Sequence, residues 1–213
     1  MSSFLLGGRA WLVISVNHGE RTVRVKPAPR GQKQSWGGFV PQFLGREVCQ
    51  EMRAVLASDE AYGFLDARAK ASLADWRAEL GPLLGRGRSA MHFDGDVLTW
   101  WTFAGGRVNQ TLKYALEWNA GWKVVPDNFA VKIMGDGLAF KEVERVLDAL
   151  RAPGLWDDPE VRRSLFARVP DYRLSKFQKV LPEKWQVEMV GGYLIDFAGA
   201  EHFLADTAPR DET

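Results

Sequence analysis

The chain has 213 residues, 46% hydrophobic and 26% charged, with a formal net charge of +1. This is the composition of a globular chain with enough apolar material for one substantial core, and it excludes a disordered or fibrous polymer. The near-neutral charge excludes a wholly polybasic protein, no apolar run reaches the roughly 18 residues of a membrane helix, and the single cysteine, Cys49, excludes an intrachain disulfide or a multi-cysteine zinc site.

Residues 9–16 are apolar and β-rich, and Arg21 to Lys26 alternates, with turn chemistry at Asn17-His18-Gly19-Glu20 between them. This predicts a hairpin with Val23 and Val25 facing inward and Thr22, Arg24 and Lys26 on the opposite face. The stretch from Pro27 to Gly38 cannot continue a strand ladder and reads as a loop. Helices are expected at about 46–57 and 66–80, with Val48, Met52, Val55 and Leu56 on one stripe and Ala69, Leu73, Trp76 and Leu80 on the other. Gly81-Pro82 is expected to stop the second.

A second β-rich section starts near Ala90, where Met91-His92-Phe93 and Val97 to Phe103 flank the turn Asp94-Gly95-Asp96. Gly105-Gly106 breaks the strand, and Arg107 to Trp118 reads as a helix with Val108, Leu112, Ala115 and Leu116 inward. A strand pair follows around Pro126-Asp127-Asn128, then helices at about 139–151, 158–168 and 173–181 with shorter turns beyond. The predicted class is α+β: an antiparallel sheet, or a partly closed barrel, surrounded by several helices. One domain over 1–205 is expected, with lobes 1–85 and 86–205 as an alternative division and a frayed polar tail over 206–213.

Charge is unevenly placed. Residues 1–46 carry seven basic side chains against Glu20, and residues 162–184 carry seven against Asp171 and Glu183. Such asymmetry suits one anion-binding face. Two segments draw attention. Arg30, Lys33 and Trp36 share a Gly-flanked loop, and cationic contacts to phosphate with aromatic stacking on bases hold single strands at about 1–3 kcal/mol per stacked base. Alternatively Trp36 folds back over the sheet. At Gly105-Gly106-Arg107 a strand gives way to a helix N-terminus, which can bind phosphate through its amides, with Arg107, Asn109, Gln110 and Lys113 as further donors. Alternatively Arg107 and Asn109 tie down local backbone.

The group His92-Phe93-Asp94-Gly95-Asp96 reads as a hairpin turn whose aspartates satisfy backbone amides, rather than as a metal site. No G-x-x-x-x-G-K-[S/T] loop and no G-x-S-x-G elbow occurs. Neither enzymatic activity, a cofactor nor a metal is expected. The start Met1 to Leu6 lacks a basic leader, and a reducing, cytoplasmic compartment is expected.

Several segments, in order, resemble the region that follows the motor core and winged helix of large helicase-related (Lhr-type) DNA helicases. They are Leu6-Gly7-Gly8-Arg9-Ala10-Trp11, Val23 to Ala28, Trp36-Gly37-Gly38, Tyr62 to Asp66, Trp101 to Leu112, Asp127-Asn128-Phe129-Ala130, Lys176 to Pro182 and Leu194-Ile195-Asp196. The Trp101–Leu112 segment, with Asp127 to Ala130 after it, is the most specific match. The resemblance implies a non-motor accessory region that guides single-stranded DNA, with RNA as the alternative ligand and helicase motor domains as partners in cis or in trans. It places stacking on Trp36 and phosphate contact on Arg24, Lys26, Arg30 and Arg107. The rival reading is a protein-interaction module that docks on motor lobes, which predicts an exposed apolar patch at Trp100, Trp118 or Trp122. Two positions depart from the family pattern: Ser35 and Gly37-Gly38-Phe39 around Trp36 lack its basic and acidic neighbours, and Gly192-Tyr193 stands where many relatives carry an arginine.

Overall fold

The computed structural model describes residues 3–29, 42–84, 90–170, 174–175 and 177–207. The chain forms two compact units, Met1–Phe39 and Val40–Thr213. In the first, β1 (Ser3–Leu6), β2 (Arg9–Asn17) and β3 (Thr22–Pro27) form an antiparallel sheet in that order. The alternation in β3 sets its register: Val23 and Val25 pair with Val16 and Val13, while Arg24 and Lys26 pair with Ser15 and Leu12 on the other face. Ile14 takes up a register shift between them, the extra residue of a bulge. Asn17 fixes the turn, its Oδ1 accepting from the amides of Gly19 and Glu20 at 3.1 and 3.2 Å. No described side chain of this sheet is fully buried.

The second unit begins with two helices, α1 (Arg46–Ala57) and α2 (Ala67–Leu84), followed by a hairpin of β4 (Ala90–Asp94) and β5 (Val97–Trp101). Helix α3 (Gly106–Ala120) leads to β6 (Lys123–Pro126) and β7 (Ala130–Met134), then α4 (Phe140–Leu150), α5 (Pro159–Phe166), α6 (Glu183–Leu194) and α7 (Phe197–Asp206). The strands make one antiparallel sheet in the order β4-β5-β7-β6. The class is therefore α+β, and neither sheet closes into a barrel.

Period-2 alternation sorts the sheet's two faces. Met91, Phe93, Leu98, Trp100, Val131, Ile133 and Val124 point to one side, into a core shared with α3 to α7. Trp101 points to the other, where Cys49, Leu80, Leu84 and Phe103 form a smaller cluster with α1 and α2. This second cluster places α1 and α2 with residues beyond 90, so the division of the chain falls at Phe39/Val40 instead of near residue 85. Helix α3 lies at the centre and is buried nearly all round, touching α4, α5, α6, α7, β6 and β7.

Three sequence expectations give way to packing. Pro82 sits inside α2; an interior proline costs about 3 kcal/mol, offset here by burying Leu80 and Leu84 on either side of it. Helix α1 is rolled: Val48 and Met52 are exposed, and the inward side carries Cys49, Leu56 and Arg53, whose guanidinium donates to the Leu84 carbonyl at 3.4 Å. Among the described residues of the expected helix at 173–181 there is a 3-10 turn at Gln178–Val180, whereas α6 and α7 occupy what reads as turns. Gly191 belongs to α6 because a Cβ there would lie 2.1 Å from the Phe166 ring, so the glycine admits α5 and does not break the helix.

Candidate nucleic-acid interface

Arg24 and Lys26 are both exposed on the polar face of β3, beside Thr22, Ser15 and Asn17. Their i, i+2 spacing separates them by roughly 6.6–6.8 Å along the strand, and among the described residues neither is ion-paired. Arg30, Lys33 and Trp36 lie outside the described residues.

The other expected contacts converge on the start of α3, where the geometry is that of a tie and not of an open anion cradle. Gly105 adopts φ +84, and a Cβ there would meet the Leu44 carbonyl at 2.8 Å and the Arg46 amide at 2.9 Å. The glycines do admit a close backbone approach, but it is the chain's own segment before α1 that approaches. The Gly105 amide donates to Asn128 O and the Gly106 amide to Leu44 O, each at 3.2 Å. Asn128 returns the tie, accepting at Oδ1 from the Leu44 amide at 2.9 Å and donating to Gln42 O at 3.3 Å.

Asn109 is fully buried: its Oδ1 accepts from Thr102 Oγ1 at 2.6 Å and its Nδ2 donates to Asp127 O at 2.8 Å. It joins the end of β5 to the β6–β7 turn and does not reach the surface. Arg107 is exposed, yet its Nη2 donates to Gly192 O at 2.9 Å and Ile195 O at 2.6 Å, closing the end of α6, where a cation also meets the negative end of the helix dipole. Lys113 forms an ion pair with Glu117 and lies 5.3 Å from the Tyr114 ring centre. Of the residues proposed from this junction, Gln110 and Lys113 line an opening in the fold.

Cys49 packs under the same junction, wholly buried, its Sγ donating to Asn128 O at 3.4 Å. Burial, seconded by the nearby Asp127 carboxylate, pushes its thiol pKa up. The folded state thus holds the proton more tightly than the unfolded chain does. The associated stability is full below the unfolded thiol value of roughly 8.5 and declines as pH rises above it. A thiol reagent at pH 8 is expected to label Cys49 at the rate of unfolding; immediate stoichiometric labelling of native protein contradicts this placement.

A cleft of about 500 Å3 opens beside Lys113, lined also by Gln110, Tyr114, Asp127 and Arg168. Sequence reading passed over Arg168 except as one of a basic block, because nothing in the pattern says which cations of 162–184 meet α3. It also missed the exposed apolar side chains around the α1–α2 pair, where Phe64, in the connection between the helices, is 84% and Trp76 52% exposed. Trp100 and Trp122 are buried and Trp118 half-buried, so the apolar surface lies elsewhere than the docking alternative expects. Among the described residues no group of three or more His, Cys, Asp or Glu side chains is arranged to hold a metal, and no helix is long and apolar enough to cross a membrane. No family model, no curated protein and no solved structure matches the chain.

Proposed function

We propose that this chain is a nucleic-acid-binding accessory region of an Lhr-like helicase, without a motor of its own, that holds single-stranded DNA in a sequence-tolerant way. The observation that carries the reading is the polar face of β3, where Arg24 and Lys26 stand exposed and clear of counter-ions among the described residues. The ordered resemblance across the chain supports it, and by that resemblance Trp36 supplies the stack. A strand held this way binds chiefly through phosphate, so affinity falls steeply with salt.

The test is a tryptophan-fluorescence titration with a single-stranded oligonucleotide at several salt concentrations, comparing the native chain with the double variant Arg24→Glu, Lys26→Glu. Removing two phosphate contacts from a single strand should flatten the slope of log affinity against log salt by about 1.4. An unchanged slope and affinity overturns the reading. The exposed apolar side chains Val48, Met52, Phe64 and Trp76 then favour the second reading, a module whose working surface is the α1–α2 pair and whose partner is protein.

A further inference from the structure

The cleft beside α3 is lined by a mostly buried residue whose carboxamide is open to the cleft. Gln110 is 7% exposed and lines the opening, yet among the described residues its carboxamide has no hydrogen-bond partner. Its neighbours on the helix are all engaged. Asn109 bridges Thr102 and Asp127, and Thr111 Oγ1 donates to Arg107 O and accepts from the Asp196 amide, each at 2.8 Å. A carboxamide held on a packed helix, unpaired within the described protein and open to a cleft, is placed to meet a ligand.

The remaining lining specifies the ligand's chemistry. Lys113 is balanced by Glu117, which leaves Arg168, exposed just after α5, as the cation without an ion pair among the described residues. Asp127 supplies a carboxylate whose Oδ1 is held by the Phe129 and Ala130 amides at 2.7 Å. A carboxylate in the same lining as the cation disfavours a bare phosphate but accepts readily from an amine or hydroxyl. Phe43 and Pro126 add apolar walls, and the volume of about 500 Å3 falls among those of small-molecule sites. A carboxamide offers a donor and an acceptor side by side, the pairing by which glutamine meets the edge of adenine.

We infer that this cleft is a pocket for one nucleotide, its base edge on Gln110 and its phosphate on Arg168. The choice of ligand class rests on the nucleic-acid reading above; the site itself uses no residue of β3. The nucleotide could arrive free or as one residue of a bound strand, and the test separates these sources. Calorimetric titrations with dAMP, inorganic phosphate and a single-stranded dA oligomer would compare the native chain with Gln110→Leu and Arg168→Ala. The second substitution lies on the surface, so folding does not confound it.

Binding of dAMP should weaken about tenfold in each variant, whereas inorganic phosphate should bind weakly and without dependence on Gln110. A parallel loss of oligomer affinity assigns the pocket to a residue of the strand; loss for dAMP alone assigns it to a free nucleotide. Absence of dAMP binding, or binding indifferent to both substitutions, overturns the pocket. The Arg24→Glu, Lys26→Glu variant keeps the two ideas apart, because it should leave dAMP binding intact. Oligomer binding that depends on β3 with no dAMP binding sinks the pocket alone. The reverse result sinks the strand-binding face alone.

Discussion

Replacing Trp100 with alanine is expected to lower the unfolding free energy by about 3–5 kcal/mol. Trp100 is fully buried on the core side of β5, between Met91 of β4 and Val131 of β7 in register, with its ring 5.5 Å from that of Phe203 on α7. It therefore joins the sheet to the last helix of the chain. Truncation removes the transfer energy of an indole and leaves a cavity whose rigid walls, sheet on one side and helix on the other, cannot close it. Natural domains are stable by only about 5–15 kcal/mol, so the loss is a large share of the total. Urea denaturation followed by circular dichroism should show a lower midpoint at an unchanged slope. A loss under 1 kcal/mol would mean that α7 does not pack where it is described.

Asn109→Leu is the second large effect, about 2–4 kcal/mol, from groups left unpaired in the interior. The substitution is close in size, so volume is a minor part of the change. What disappears is the acceptor for Thr102 Oγ1 and the donor to Asp127 O. Thr102 can still reach Phe129 O at 3.3 Å, but Asp127 O loses the only side-chain donor described for it. Denaturation reads the cost, and an oligonucleotide titration of the folded variant supplies the contrast. A buried bridge changes stability while leaving affinity alone, whereas a DNA contact would do the opposite. Weakened binding with undiminished stability would return Asn109 to the surface role that its sequence context suggests.

That contrast shows what a sequence can and cannot disclose here. Alternation in Arg21 to Lys26 dictates which residues of β3 share a side, because a strand has only two sides, and the pairing obeys it, although Val23, expected inward, is half exposed. The bounds of α1 and the inward residues of α3 follow from helical periodicity for a similar reason. Direction is harder to read for a helix with several neighbours. The roll of α1 turns on Arg53 reaching the Leu84 carbonyl, a polar contact on the packed side that an apolar pattern does not register. The close approach that Gly191 permits is to Phe166, twenty-five residues earlier, which the local sequence does not name. The candidate site follows the same rule. Arg107, Asn109 and Gln110 are three consecutive-looking donors in the sequence, yet one closes α6, one is buried in the scaffold, and one faces the cleft. Only the third dimension separates them. The most specific part of the helicase resemblance, from Trp101 to Leu112 with Asp127 to Ala130, lies at this same junction, where hydrogen bonds join these segments to each other and to the chain before α1 and at the end of α6.

The strand order β4-β5-β7-β6 also carries a consequence for the order of events in folding. Each hairpin can close on its own, β4–β5 across a tight turn with Gly95 at φ +57 and β6–β7 around the Asp127 amide contacts, and hairpins form in about 1–10 μs. The central seam between β5 and β7 is different, because all of α3 and β6 intervenes between its partners. Loop-closure entropy must be met before that pairing gives anything back. The seam should therefore be the late, rate-setting contact, with α3 acting as the former against which two ready-made hairpins are brought edge to edge.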